Sequence, residues 1–107
     1  MICLSVLYGN PQDTEAFDRY YNENHIALAS KLPGLKAYNV IRPISLNPNE
    51  KSPYHLIALL YFEDMAAMQQ AFASPEGQAA AGDLPNFATG GVTMLAGEQQ
   101  ILVHNWQ

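Results

Sequence analysis

The sequence predicts an α+β fold of the ferredoxin-like, split β-α-β kind, with an antiparallel sheet, helices on one face, and a second copy on the other. Two observations carry this prediction. Apolar patterning switches between period two and period 3.6 in the order β-α-β-β-α-(α)-β, and right-handed crossovers then put both helices on the same side of the sheet. The third strand is apolar on both faces, so the helices alone cannot shield it. The same face of a two-fold related copy is the simplest cover, so a homodimer with a barrel-like joint core is expected.

Taken in order, "MICLSVLY" alternates Ile2, Leu4, Val6 and Tyr8 with Cys3, Ser5 and Leu7, the pattern of a strand that Gly9-Asn10-Pro11 ends. Asp13 or Thr14 is the N-cap of a helix with Glu15 in its first turn, and the periodic run continues to Leu32 before Pro33-Gly34. Leu35 to Arg42 reads as the second strand, and the Pro- and Asn-rich stretch from Pro43 to Pro53 as a loop. The third strand runs from His55 to Phe62. Asp64 caps a further helix whose Met65, Met68 and Phe72 form one apolar stripe, and Ser74 with Pro75 at the first position opens a short one. After Gly90-Gly91, the segment from Val92 to Trp106 is expected to form a strand or strand pair interrupted at Gly97.

Composition narrows the function classes. The 107 residues, about half of them apolar, suit one domain spanning 1–107 with one core. Charged residues make up 14%, the formal net charge is −5, and Arg19, Lys31, Lys36, Arg42 and Lys51 are scattered. Nucleic acid and anionic membrane both require a concentrated basic face, so neither is an expected partner. Cys3 is the single cysteine, so it forms no internal disulfide. No basic, apolar leader opens the chain and no run of eighteen apolar residues occurs, which predicts a cytoplasmic location.

The first helix holds the main chemical signal. At about 100° per residue from Phe17, Leu28 falls near roughly 20°, Tyr21 near 40°, Leu32 near 60° and His25 near 80°, with Tyr20 on the other flank. An ionisable imidazole therefore sits at the edge of the buried stripe. It serves either as a core group satisfied by a neighbouring acceptor or as a group that exchanges a proton with a ligand in a partly dry cleft. Tyr20 and Tyr21 accompany it, and Tyr38 and Tyr61 on the strands are further candidates to face the same cleft. His55 and His104 read as surface or interface residues. The three histidines have no metal-ligand spacing, and GxGxxG, GxxxxGK[ST] and GxSxG motifs are absent, so neither a metal nor an organic cofactor is expected.

The helix "FDRYYNENHIALASKLPGL" (17–35), together with "SPEGQAAAGDLPNFATGGVT" (74–93), resembles the EthD domain family, named for a protein of ethyl tert-butyl ether degradation. That resemblance spans nearly the whole chain and implies the dimeric α+β barrel superfamily, with the family's motif histidine at His25. The family often has proline two residues after this histidine. Ala27 stands there in this chain, which predicts a helix running straighter past His25. Breakdown or tailoring of small organic compounds is the implied setting.

The resulting expectation is a cofactor-free enzyme that isomerises or dehydrates a hydrophobic, oxygenated small molecule such as a lactone, phenol or cyclic ketone. His25 acts as general acid or base, and Tyr20, Tyr21 or Tyr38 holds the oxygen. Two alternatives share the fold: cofactor-free oxygenation of an electron-rich substrate, and non-catalytic binding as an accessory to an oxygenase.

Overall fold

The computed structural model of the chain describes residues 1–106. Its elements are β1 (Ile2–Gly9), α1 (Thr14–Tyr20), a π-helical turn (Tyr21–His25), α2 (Ile26–Ala29), β2 (Ala37–Ile41), β3 (Tyr54–Phe62), α3 (Met65–Ala73), α4 (Pro75–Gly82), a 3-10 turn (Leu84–Asn86) and β4 (Val92–Glu98). All strand pairs are antiparallel, in the order β2-β3-β1-β4. This is the split β-α-β arrangement expected from the pattern.

Alternation decides which side chains meet the helices. Ile2, Leu4, Val6 and Tyr8 of β1 and Leu56, Ala58, Leu60 and Phe62 of β3 are buried beneath the helices. Burying a side chain such as Leu56 or Phe62 contributes roughly 1.5–3 kcal/mol. Cys3, Leu7, Ile57, Leu59 and Tyr61 point to the opposite face, where Ile41 and Leu95 are exposed. The doubly apolar third strand therefore has one face under helices and one bare of them.

Local chemistry accounts for most element boundaries. The Asp13 carboxylate accepts from the Ala16 amide at 3.1 Å, and Asp64 accepts from Ala67 at 2.8 Å. The Ser74 hydroxyl accepts from Gly77 at 3.1 Å, with Pro75 in the first turn of α4. Gly77 also permits α4 to lie against α3, because a Cβ there would stand 2.2 Å from the Ala71 carbonyl oxygen. Gly34 takes φ +77° in the turn after Pro33.

Several details differ from expectation, among them the second strand, which spans Ala37–Ile41 rather than Leu35 to Arg42. The first helix is not one regular α-helix running straight past His25: the Ile26 amide bonds to the Tyr21 carbonyl, five residues back, making the π turn. It also stops at Ala29 rather than Leu32. Lys31 and Leu32 donate three residues back, to Leu28 and Ala29, and the residue before Pro33 is sterically kept out of the α region. Finally, Gly97 does not interrupt β4, since it pairs with Cys3 in continuous register, and the strand ends at Glu98. No helix among the described residues is long and apolar enough to cross a membrane.

Candidate functional site

Between the helices and the sheet lies a cavity of about 80 Å³. Val6, Ala58, Leu60, Leu32 and Leu84 supply much of its apolar wall, while Ala81 and Met94 are exposed members of the lining and mark its mouth. Its polar groups are Tyr8, His25 and Tyr38. Phe72 of the α3 stripe also contributes to the wall, whereas Met65 of the same stripe is exposed.

The π turn brings His25 here. A π turn is wider than an α turn, so residues four apart come closer to alignment, and Tyr21 and His25 are both buried with ring centroids 5.4 Å apart. His25 is thereby moved from the stripe's edge into it, with 5% of its surface exposed. Phe87, from the segment after α4, fills the space behind, its centroid 4.7 Å from the imidazole and 5.2 Å from Phe17.

Both imidazole nitrogens have defined surroundings. Nδ1 lies 3.0 Å from Oδ2 of Asp83, itself 7% exposed. A carboxylate only accepts, so Nδ1–H donates and Nε2 carries the lone pair. Nε2 faces the Tyr8 hydroxyl at 3.5 Å, a long contact that leaves it available to a ligand. Burial holds the His25 pKa below the ordinary imidazole value and outweighs the opposing hydrogen bond and charge of Asp83, so the ring is neutral at physiological pH.

Asp83 is held in turn. Its Oδ1 accepts from the Tyr20 hydroxyl at 2.6 Å and from the Asn86 amide at 2.9 Å. Burial alone would raise its pKa, but the hydrogen bonds from Tyr20, Asn86 and His25 more than offset that and keep it ionised. Burial likewise pushes the phenols of Tyr8, Tyr21 and Tyr38 up, so each remains a neutral donor. The Tyr21 and Tyr38 hydroxyls are hydrogen-bonded to each other.

Of the residues singled out in the sequence, the structure puts His25 and Tyr38 on the cavity lining, with Tyr21 behind it on the Tyr38 hydroxyl and Tyr20 behind it on Asp83. Tyr61 is not brought there; it pairs with Cys3 and Ala37 on the open sheet face. His55 sits at a register shift in β3 and bonds Asp18 at 2.8 Å, with Arg42 on the same oxygen at 2.7 Å. His104 is exposed in the C-terminal segment.

Sequence reasoning missed Tyr8, Asp83, Asn86 and Phe87. A signal existed for Asp83, because a carboxylate at the C-terminal end of α4 opposes the helix dipole and calls for another reason to be there. Tyr8 had a weaker one, as a phenol closing an otherwise hydrocarbon strand face.

Fold and site together define a small ferredoxin-like α+β protein with a histidine-bearing cavity between helices and sheet. The EthD domain family model matches residues 10–91, and the chain belongs to that family. It is 44% identical over 103 residues to an uncharacterized 11.0 kDa protein in the thcB-thcC intergenic region of Rhodococcus erythropolis, covering 96% of this chain and 99% of that one. An EthD family protein from Bacillus halodurans superimposes with TM-score 0.86 at 35% identity, covering 94% of this chain and 99% of the other. HapK from Hahella chejuensis, at 22% identity, shares the fold over both full lengths with TM-score 0.70.

Proposed function

We propose that the protein is an enzyme of small-molecule degradation or tailoring in which His25 moves a proton on a hydrophobic, oxygenated substrate, as in an isomerisation or dehydration. The observation that carries this reading is the neutral His25 imidazole, which offers Nε2 to an apolar cavity while Asp83 fixes Nδ1–H. Nε2 takes a proton from carbon next to a carbonyl, the imidazolium formed is stabilised by Asp83, and the ring returns the proton elsewhere on the same molecule. Tyr8 and Tyr38 donate to the oxygen on which charge develops, with Tyr21 orienting Tyr38 and Tyr20 orienting Asp83. Proton transfer of this kind needs neither a metal nor an organic cofactor.

The working unit in this reading is a homodimer. Cys3, Leu7, Ile57, Leu59 and Tyr61 of one copy pack on those of the other, and this gives Tyr61 an interface role in place of a ligand contact. Structural neighbours from Bacteroides fragilis and Thermobifida fusca, at 17% and 14% identity, are described as dimeric ferredoxin-like proteins, which supports pairing in this fold.

Solvent exchange tests the chemistry without knowledge of the natural substrate. Cyclohexanone and a set of lactones incubated in deuterium oxide should acquire deuterium next to the carbonyl faster with the protein present. His25→Gln should slow that exchange by about 10²–10⁴-fold, the usual contribution of a general base. Equal exchange by the variant would remove His25 from the mechanism.

A further inference from the structure

The cavity also specifies the charge of what it holds. Among the described residues no lysine or arginine lines it, and its polar groups are Tyr38 and a corner where the Tyr8 hydroxyl and His25 Nε2 stand 3.5 Å apart, against an otherwise hydrocarbon wall. Asp83 stands directly behind the imidazole, 3.0 Å from Nδ1, so the nearest full charge on that side is negative. Arg42 is committed to Asp18 outside the cavity. An anion entering here would lose its hydration, find no counter-charge and approach a carboxylate. A neutral carbonyl or hydroxyl, by contrast, finds the Tyr8 hydroxyl as donor and Nε2 as acceptor at one point.

Size adds a second restriction. An apolar cavity of about 150 Å³ takes a benzene molecule. The volume of about 80 Å³ here admits the oxygen-bearing end of such a molecule, and the remainder passes out between Ala81 and Met94.

Resting on the proposed role of this site, we infer that its substrates are uncharged, largely hydrocarbon molecules that enter with a single hydrogen-bonding oxygen foremost, and that carboxylates and phosphates are rejected. Rejection follows from the absence of a lining cation, and the orientation follows from the polar corner.

Binding of matched probes tests this on the unmodified protein, followed through the His25 and Tyr8 ring signals by NMR. Phenol and cyclohexanone should give saturable shifts at both residues, and benzoate and cyclohexanecarboxylate should bind at least about tenfold more weakly, a gap of about 1.4 kcal/mol. Met94→Lys adds a cation to the lining and should narrow the gap between phenol and benzoate by about tenfold, whereas an unchanged gap would count against the charge rule. Benzoate bound as tightly as phenol by the unmodified protein would overturn the inference, as would failure of both neutral probes to reach His25. Loss of deuterium exchange alongside intact phenol preference would remove the catalytic reading and leave the charge rule standing. Continued exchange alongside tight benzoate binding would do the reverse.

Discussion

Two clusters in this small protein use the same pair of side chains, an aspartate and a histidine, and they differ in almost everything else. His25 and Asp83 are 5% and 7% exposed, come from the π turn and the C-terminal end of α4, and the remaining hydrogen bonds of Asp83 are filled by Tyr20 and Asn86. Asp18 of α1 meets His55 of β3 with Arg42 as a third member, and the Asp18 and Arg42 side chains are 39% and 46% exposed. In the first cluster burial keeps the imidazole neutral and hydrogen bonds keep the carboxylate ionised. Water shares the work in the second. Sequence chemistry is alike in the two places, and solvent access makes one a candidate site and the other a surface tie between helix and sheet.

The largest expected contrast comes from deleting each aspartate. Asp83→Ala leaves the buried Nδ1–H of His25 without an acceptor, while the half-buried Tyr20 hydroxyl and the exposed Asn86 amide can turn to water, and it should cost about 2 kcal/mol of unfolding free energy. Asp18→Ala should cost less than about 1 kcal/mol, since its partners turn to water. Urea unfolding of the two variants measures both, and equal losses would erase the distinction.

Acid pH separates the clusters next. Because the folded state holds His25 below its ordinary value of 6.5, the unfolded chain binds the proton more readily. Stability should therefore fall as pH drops below about 6.5 and go on falling until the folded-state pKa is passed. His25→Gln should flatten that region when unfolding midpoints are compared at about pH 7.5 and 5.5. Asp18 and Asp83 are both held below the ordinary aspartate value of 3.8, so the stability they lend is lost only in stronger acid, as pH passes through their folded-state values.

A smaller difference is expected from salt. At about 1 M the screening length shrinks to about 3 Å, so the exposed Asp18–Arg42 pair should lose its coupling in a double-mutant cycle. The coupling between His25 and Asp83 should persist, because no ions enter between them. Smallest of all is Tyr8→Phe: the 3.5 Å contact to Nε2 is too long to be worth more than about 0.5 kcal/mol. A larger loss would show that this hydroxyl is tied into the site more tightly than its distance suggests.

How far the sequence reached depended on the range of the forces concerned. Strand faces, the caps at Asp64 and Ser74, and the turn at Pro33-Gly34 were legible because each is settled within a few residues. The buried position of His25 was legible too, from helical spacing alone. Its partner was not: Asp83 lies 58 residues away, and only the packing of α4 against the first helix brings the two together. The π turn was equally hidden, since an apolar stripe fits an α-helix and a locally widened one alike. Tyr61 could be sorted from Tyr38 only once register was known, because a shift of one residue exchanges the two faces of a strand.

By itself, then, the sequence determined the order of elements, the split β-α-β class and the residue most worth testing through local periodicity and local hydrogen bonding, while its two motifs carried the resemblance to the family. Tertiary structure decided the rest: that the imidazole has an aspartate behind it and a lone pair in front, that Tyr8 shares its cavity, and that Tyr61 faces away. Those facts depend on distances between segments remote in the chain, and such distances are fixed only when the core closes.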